Sequence, residues 1–123
     1  MSKTILIVDD NENNMTLVRD VLQMKGYTVL EATTGTEGVR LAVEGNPDLI
    51  LMEIVLPDID GITALARIRA NEATRNTPVV AVSASVMPEE KQKIVASVFD
   101  AYITKPLNMK SFVETVERFI GKA

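Results

Sequence analysis

Five short apolar runs alternate along this sequence with longer amphipathic stretches, and no low-complexity linker separates them. Each run has the length of a β-strand, and each longer stretch repeats its apolar residues at helical spacing. Strands that alternate with helices predict βαβ units with right-handed crossovers. We therefore expect an α/β domain in which one parallel sheet carries helices on both faces. The predicted strands cover residues 4–8, 27–31, 49–52, 79–82 and 101–104.

The stretches between these runs carry the signals of helix ends. The first begins in the polar cluster 11–14, and its apolar residues Met15, Val18 and Leu22 would face the core. Gly26 suits the residue just after its end, where a left-handed backbone is common. Pro88 suits the first position of the fourth helix. The other predicted helices cover residues 36–44, 62–71, 89–98 and 108–120.

The polarity of the strands predicts their order in the sheet. The first, third and fourth runs are apolar throughout, as strands buried on both faces should be. The second and fifth runs include polar residues, which is typical of edge strands. Edges at these two positions are compatible with the flavodoxin-like order 2-1-3-4-5, whose ligand crevice lies at the carboxyl ends of the first and third strands.

Composition limits the chemistry that is available. The chain has 123 residues, and 46% of them are hydrophobic. For a chain of this size, the scaling of surface area with mass lets folding bury about two-thirds of the unfolded surface, so we expect a single domain over residues 1–123. Cysteine and histidine are absent. Disulfides, thiolate zinc sites, cysteine nucleophiles and histidine bases are therefore excluded. Carboxylates, hydroxyls, lysine and arginine must carry any chemistry.

Charge and hydropathy indicate the setting. The net charge of −4 and the isoelectric point of 4.8 argue against a nucleic-acid surface, which needs clustered basic residues. The first three residues do not form the apolar h-region expected of a signal peptide, and no apolar run approaches the ~20 residues of a membrane span. We expect a cytoplasmic protein that binds other proteins or a cation, with no nucleic-acid or membrane partner.

Polar residues follow the predicted strands at their carboxyl ends. Asp9 and Asp10 follow the first strand, Glu53 the third, Ser83 the fourth and Lys105 the fifth. In a parallel sheet these ends share one rim, so three carboxylates would converge there. Mg²⁺ would relieve their repulsion, because it takes carboxylate oxygens and commonly recruits a phosphoryl group. Lys105 and Ser83 could then hold phosphoryl oxygens.

Each of these residues also has a structural interpretation when it is taken alone. Asp9 and Asp10 could cap the first helix, Ser83 could serve a turn, and Lys105 could be a solvated surface charge. Glu53 is harder to explain in this way, because an unpaired carboxylate at a buried strand end is costly. The joint placement of these residues at strand ends favours a functional site.

The joint pattern resembles the receiver domain of bacterial two-component response regulators, over essentially the whole chain. The details are most similar to single-domain receivers of the DivK type and to receivers attached to hybrid kinases. The motifs that carry the resemblance are ILIVDDN at 5–11, PDLILM at 47–52, LPDIDG at 56–61, PVVAVSA at 78–84 and YITKP at 102–106.

The resemblance implies roles for individual residues. Asp9 and Asp10 would form the acidic Mg²⁺ pocket together with the residue at the acceptor position and the Val55 backbone carbonyl. Ser83 would be the switch hydroxyl and Tyr102 the switch aromatic. Lys105 would contact the phosphoryl group, and its peptide bond to Pro106 would be cis.

One position departs from the family pattern. Glu53 stands where the family carries its phosphoacceptor Asp. The extra methylene moves the carboxylate about 1.5 Å further into the pocket, and in-line transfer tolerates little misplacement. We expect phosphorylation to be disabled, or mimicked by a carboxylate close to Lys105. The glutamate is either natural or an engineered replacement of aspartate.

The expected partners are proteins. A sensor histidine kinase or a histidine phosphotransfer protein would act on the receiver, which would pass the signal to a downstream protein target without being an enzyme. Leu17, Val21 and Met24 form a second apolar stripe on the first helix, and we expect Asn14, Leu17 and Val21 to bind a partner. Packing against the last helix is the alternative for this stripe.

Competing functions fit less well. No glycine-rich phosphate loop follows the first strand, the acidic pair lacks the spacing of haloacid dehalogenases, and residues 9–20 lack the glycine of an EF-hand. A natural pseudo-receiver, which acts as an adaptor without phosphoryl chemistry, remains the alternative.

Overall fold

A computed structural model describes residues 3–83 and 87–123, and Ala84 of the fourth motif lies outside them. All ten predicted elements are present, and their bounds differ from the prediction by a few residues. The strands are β1 Thr4–Val8, β2 Thr28–Ala32, β3 Leu49–Glu53, β4 Val79–Ser83 and β5 Ala101–Thr104. The helices are α1 Glu12–Met24, α2 Gly35–Gly45, α3 Gly61–Ala70, α4 Glu89–Val98 and α5 Met109–Ile120.

The five strands form one parallel sheet in the order β2-β1-β3-β4-β5. The predicted flavodoxin-like order and both predicted edges are therefore confirmed. The register pairs Val8 with Met52, Glu53 with Val82, and Ser83 with Thr104. Since all strands run the same way, their carboxyl ends lie on one side of the sheet. We call this side the functional edge, as distinct from the two edge strands β2 and β5.

The sheet separates two layers of the core. On one face, α2, α3 and α4 pack over β-strand residues such as Leu6 and Ile50. On the other face, α1 and α5 pack over Ile5 and Leu49. The predicted inner residues of α1 are buried in this second layer, together with Phe112 of α5. The apolar central strands are thus covered on both sides, as their sequences predict.

Two glycines are required by the local backbone. Gly26 follows α1 with φ of +96°, as its predicted position after the helix end requires. Gly61 begins α3, and a Cβ atom there would lie 2.4 Å from the carbonyl oxygen of Glu53. Any larger residue at position 61 would push the β3–α3 loop away from α3.

Hydrogen bonds fix the segment after α5 at the amino ends of the strands, on the side of the sheet opposite the functional edge. The Lys3 ammonium donates hydrogen bonds to the carbonyls of Ile120 and Lys122. The Tyr27 hydroxyl donates to the Gly121 carbonyl at 2.5 Å. The segment after α5 is therefore held beside the beginning of β1 and β2. None of the helices in the described ranges is both long and apolar enough to cross a bilayer.

Candidate functional site

Four of the predicted residues meet at the functional edge. The Lys105 Nζ atom lies 2.9 Å from Asp9 Oδ2 and 3.2 Å from Glu53 Oε2. The Ser83 hydroxyl donates to Glu53 Oε1 at 3.2 Å. Residues from four different strand ends are therefore joined through one ammonium and one carboxylate. The geometric expectation drawn from the sequence is confirmed for Asp9, Glu53, Ser83 and Lys105.

Glu53, like Asp9, is almost completely buried. Only 4% of the residue is exposed, because it is the last residue of a strand that is covered on both faces. Burial raises the pKa of the Glu53 carboxyl above its ordinary value, and the charge of Asp9 adds to this effect, although Lys105 opposes it. Its Oε2 atom contacts Lys105 as an ion pair but accepts no hydrogen bond from any residue that the structure describes.

Asp9 is held by three donors. Its Oδ1 atom accepts from the backbone N–H of Asn11 at 2.9 Å, and its Oδ2 atom accepts from the Asn14 side-chain amide at 2.6 Å as well as from Lys105. Burial lowers the pKa of the Lys105 ammonium, but the hydrogen bond and charge of Asp9, with the charge of Glu53, outweigh it and raise that pKa. Lys105 therefore carries a positive charge at neutral pH.

The other predicted metal ligands are placed differently. Asp10 is exposed at the start of the β1–α1 loop, and Val55 lies exposed two residues after Glu53. Within residues 3–83 and 87–123, no three acidic side chains lie close enough together to hold a metal ion. The expected convergence of three carboxylates is thus reduced to Asp9 and Glu53, with Lys105 between them. The oxygen donors still fit Mg²⁺ in kind.

The predicted switch aromatic is half-buried. Tyr102 lies in β5 and packs against the core layer that α2, α3 and α4 cover. Ser83, the predicted switch hydroxyl, ends the neighbouring strand β4. The peptide bond between Lys105 and Pro106 is cis, as the resemblance implies.

The α1 residues predicted to bind a partner differ in how exposed they are. Leu17 and Met24 are 49% and 83% exposed, so they are available to a partner. Val21 is half-buried and packs against the core layer under α1 and α5. The Asn14 amide donates to Asp9, which makes Asn14 part of the charged site as well as a neighbour of Leu17.

Sequence reasoning missed two contacts. The bond from Asn14 to Asp9 follows from the helix start at Asn11, which points the first turn of α1 toward the end of β1. Asp58, which follows β3, accepts from the backbone N–H groups of Gly35 and Thr36 and so caps α2 from another loop. No local signal reveals this second contact, because the partners are more than twenty residues apart.

The comparisons with known proteins agree with this geometry. The sequence profile described as "Response regulator receiver domain" matches residues 5–117. The polar-differentiation response regulator DivK of Brucella ovis is 39% identical over 123 residues, and the alignment covers 100% of both chains.

Solved structures show the same fold. The receiver domain of the sensor histidine kinase PA1611 of Pseudomonas aeruginosa, crystallised with magnesium in its active-site cleft, superposes with a TM-score of 0.89. It is 31% identical, and the match covers 99% of this chain and 100% of that one. The chemotaxis protein CheY4 of Vibrio cholerae has a TM-score of 0.87 and 26% identity, over 98% and 100% of the two chains. The chain therefore belongs to the receiver domains of two-component response regulators, among which it is similar to single-domain DivK proteins.

Proposed function

We propose that this receiver signals without being phosphorylated, because the Glu53 carboxylate takes the contacts that a phosphoryl group would make. The observation that carries the proposal is the position of its two oxygens. One accepts from the Ser83 hydroxyl at 3.2 Å and the other lies 3.2 Å from the Lys105 ammonium. The family resemblance implies that Lys105 contacts the phosphoryl group and that Ser83 is the switch hydroxyl. The placement of both residues at strand ends predicts that they could hold phosphoryl oxygens.

The same contacts disfavour phosphoryl transfer to Glu53. An acceptor oxygen needs a free approach in line with the leaving group, and a displacement of about 1 Å can cost on the order of 100-fold in rate. In this chain both carboxylate oxygens are already engaged, and the side chain is almost completely buried. A phosphoryl donor would have to displace Lys105 or Ser83 before it could react.

The mimicry is partial, because a carboxylate carries one negative charge and a phosphoryl group carries about two. A smaller charge shifts the receiver toward its activated conformation without fixing it there. The half-buried ring of Tyr102 supports this view, since an inward aromatic is what the family resemblance links to activation. We expect an equilibrium that favours the activated arrangement.

Mg²⁺ belongs to this proposal as an auxiliary cation. Asp9 and Glu53 would supply oxygen ligands to it, and when bound it would neutralise negative oxygens at the functional edge. The magnesium in the related PA1611 receiver supports this assignment. In this chain Lys105 already neutralises much of the charge on Asp9 and Glu53.

The output is proposed to be contact with other proteins. A sensor histidine kinase or a histidine phosphotransfer protein would dock on the receiver, and a downstream protein target would bind its activated face. We propose that the chain works in the cytoplasm, without enzymatic activity of its own and without nucleic acid. The similarity to DivK response regulators supports this role.

The decisive experiment restores the aspartate. The protein and its Glu53→Asp variant are incubated with Mg²⁺ and acetyl phosphate, and their intact masses are compared. We expect the variant alone to gain one phosphoryl group. A gain in the original protein would overturn the proposal, and a gain in neither would favour the pseudo-receiver adaptor.

A second measurement tests the mimicry. NMR spectra would compare the original protein with Glu53→Asp, before and after phosphorylation, and with Glu53→Gln as the neutral control. We expect the Tyr102 resonances of the original protein to resemble those of the phosphorylated variant. If they match the unphosphorylated variant or Glu53→Gln, the carboxylate does not act as a mimic.

A further inference from the structure

An open apolar groove lies between α3 and α4, away from the functional edge residues described above. Its volume is about 220 Å³, and it is lined by Val98 of α4 and by four residues of α3, which are Ile62, Leu65, Ala66 and Arg69. We propose that this groove binds α4 of a second copy of the chain, so that two receivers associate as a two-fold symmetric pair with their α4 helices antiparallel.

Helix α4 leaves its large apolar side chains outside the core. Of its ten residues, Val95 alone is buried, whereas Ile94 and Val98 are 50% and 44% exposed. Because Ile94 and Val98 are four residues apart, they lie on the same face of the helix, and Val98 places that face along the groove. An amphipathic helix normally buries such a stripe, so this face of α4 is suited to be covered by another protein surface.

A second copy of the chain supplies a matching surface. A two-fold symmetric pair uses the same patch twice, so the apolar stripe of each α4 would lie in the groove of the other copy. A two-fold axis close to Ile94 brings the two Ile94 side chains together. Glu90 and Val98 lie four residues before and after Ile94, about 6 Å along the helix in either direction. With the helices antiparallel, Glu90 of each copy therefore comes opposite Val98 of the other.

The charges at the Val98 end of the groove fit this arrangement. Arg69 marks that end, because it pairs at 2.9 Å with Asp100, two residues after Val98. A guanidinium has five N–H donors, and three of those of Arg69 bond to two backbone carbonyls and to Asp100. Arg69 can therefore also take the exposed Glu90 carboxylate of the second copy. Lys91, which follows Glu90, would offset the charge of Asp100 at the same place.

Sedimentation equilibrium of the purified protein tests the pairing. We expect a monomer at about 1 µM and a growing dimer fraction toward about 1 mM, since small interfaces bind weakly. Ile94→Lys should abolish the dimer, because it places two like charges at the axis. Ala96→Lys adds the same charge to an exposed residue on the opposite side of α4 and should leave the dimer intact. A protein that stays monomeric throughout, a dimer that survives Ile94→Lys, or equal loss in both variants would overturn the proposal.

A pair of charge reversals tests the antiparallel arrangement. Glu90→Lys would face Arg69 of the other copy and should raise the dimer Kd by about tenfold or more. Glu89→Lys makes the same change in net charge at a residue turned about 100° around the helix, so its effect should be smaller. Equal effects would indicate general charge repulsion and would overturn the arrangement. Failure here is distinct from failure of the phosphoryl mimicry, because Glu53 does not line the groove and its phosphorylation is measured separately.

Discussion

Lys105 is the residue on which the charge balance of the site depends. Its ammonium contacts both Asp9 and Glu53, and all three side chains are largely shielded from water. Removing one partner of such a set leaves the other charges buried without compensation, which is more damaging than the loss of a surface ion pair.

Replacing Lys105 with methionine should therefore destabilise the fold by about 3 kcal/mol or more. Urea denaturation of Lys105→Met would measure the change in the free energy of unfolding. Lys110→Met is the matched control, since Lys110 is exposed and should change stability by less than about 0.5 kcal/mol. Similar losses in the two variants would mean that the ion pairs at the functional edge contribute little.

The sequence predicted that Asp9, Glu53 and Lys105 would meet, but it also placed Asp10 with them, and Asp10 is exposed outside the cluster. It did not predict how the charges are balanced. The alternation of strands with helices predicts a parallel sheet, and this alone places Asp9, Glu53, Ser83 and Lys105 at the functional edge, where the structure has them. Whether a metal ion or Lys105 neutralises the carboxylates depends on side-chain rotamers. Those rotamers follow from packing, which strand order does not specify.

At the scale of elements, Asp58 connects the β3–α3 loop to α2. Its carboxylate accepts from the N–H groups of Gly35 and Thr36 at 2.8 and 2.9 Å, which are unpaired donors of the first helical turn. Hydrogen bonds from the Thr36 side chain and from nearby backbone N–H groups hold the pKa of Asp58 far below its ordinary value of 3.8, although desolvation opposes them. Asp58 should therefore stabilise the fold in its ionised form.

This contact predicts a pH dependence. A carboxylate with a lowered pKa contributes stability above its ordinary pKa, and that contribution is lost as pH falls toward the folded-state value. Asp58→Asn should thus be less stable than the original protein at neutral pH, and the difference should narrow below pH 3.8. Thermal unfolding of both proteins, from neutral pH to below pH 3.8, measures this difference in stability. A difference that does not change with pH would contradict the role of ionised Asp58.

The exposed part of α1 yields a binding prediction. Leu17 is half exposed, whereas the inner residues of the same helix are buried in the core. Leu17→Asp should weaken binding to a histidine phosphotransfer domain by about tenfold or more, because it places a charge in an apolar contact. Circular dichroism should stay unchanged.

Calorimetry would compare this variant with Gln23→Asp, which adds the same charge to an exposed position elsewhere on α1. An affinity of Leu17→Asp equal to that of the original protein would show that the partner does not dock on Leu17. Weakening by both to the same degree would indicate a general charge effect instead of a docking surface.

At the scale of the whole molecule, the sheet divides the core into two layers that share its strands. Ile5 packs under α1 and α5, whereas Ile50 packs under the other three helices, and both are completely buried. Because their side chains lie on opposite faces, shortening one should not change the packing of the other.

Ile5→Val and Ile50→Val should each cost about 0.5–1.5 kcal/mol, and the double variant should cost their sum within about 0.5 kcal/mol. Urea denaturation followed by circular dichroism would show one transition in each case. Two transitions, or a double-variant cost far from the sum, would mean that the layers unfold separately or are coupled through the sheet.

The architecture was predictable from the sequence because periodicity and strand polarity report on burial. The fully apolar 49–52 run and the mixed 27–31 run were enough to assign centre and edge. Contacts between loops that are distant in sequence, such as Asp58 with Gly35, depend on the distances between the helices that pack on the sheet. Periodicity carries no information about those distances.

The hydrogen bonds from Lys3 and Tyr27 to the segment after α5 have a practical consequence. Both described ends of the chain emerge at the side of the molecule opposite Glu53 and Lys105. A fluorescent tag or a surface-immobilisation handle attached at either end would therefore point away from the face that partners must reach. Binding assays on sensor chips can use such attachments without blocking the signalling side.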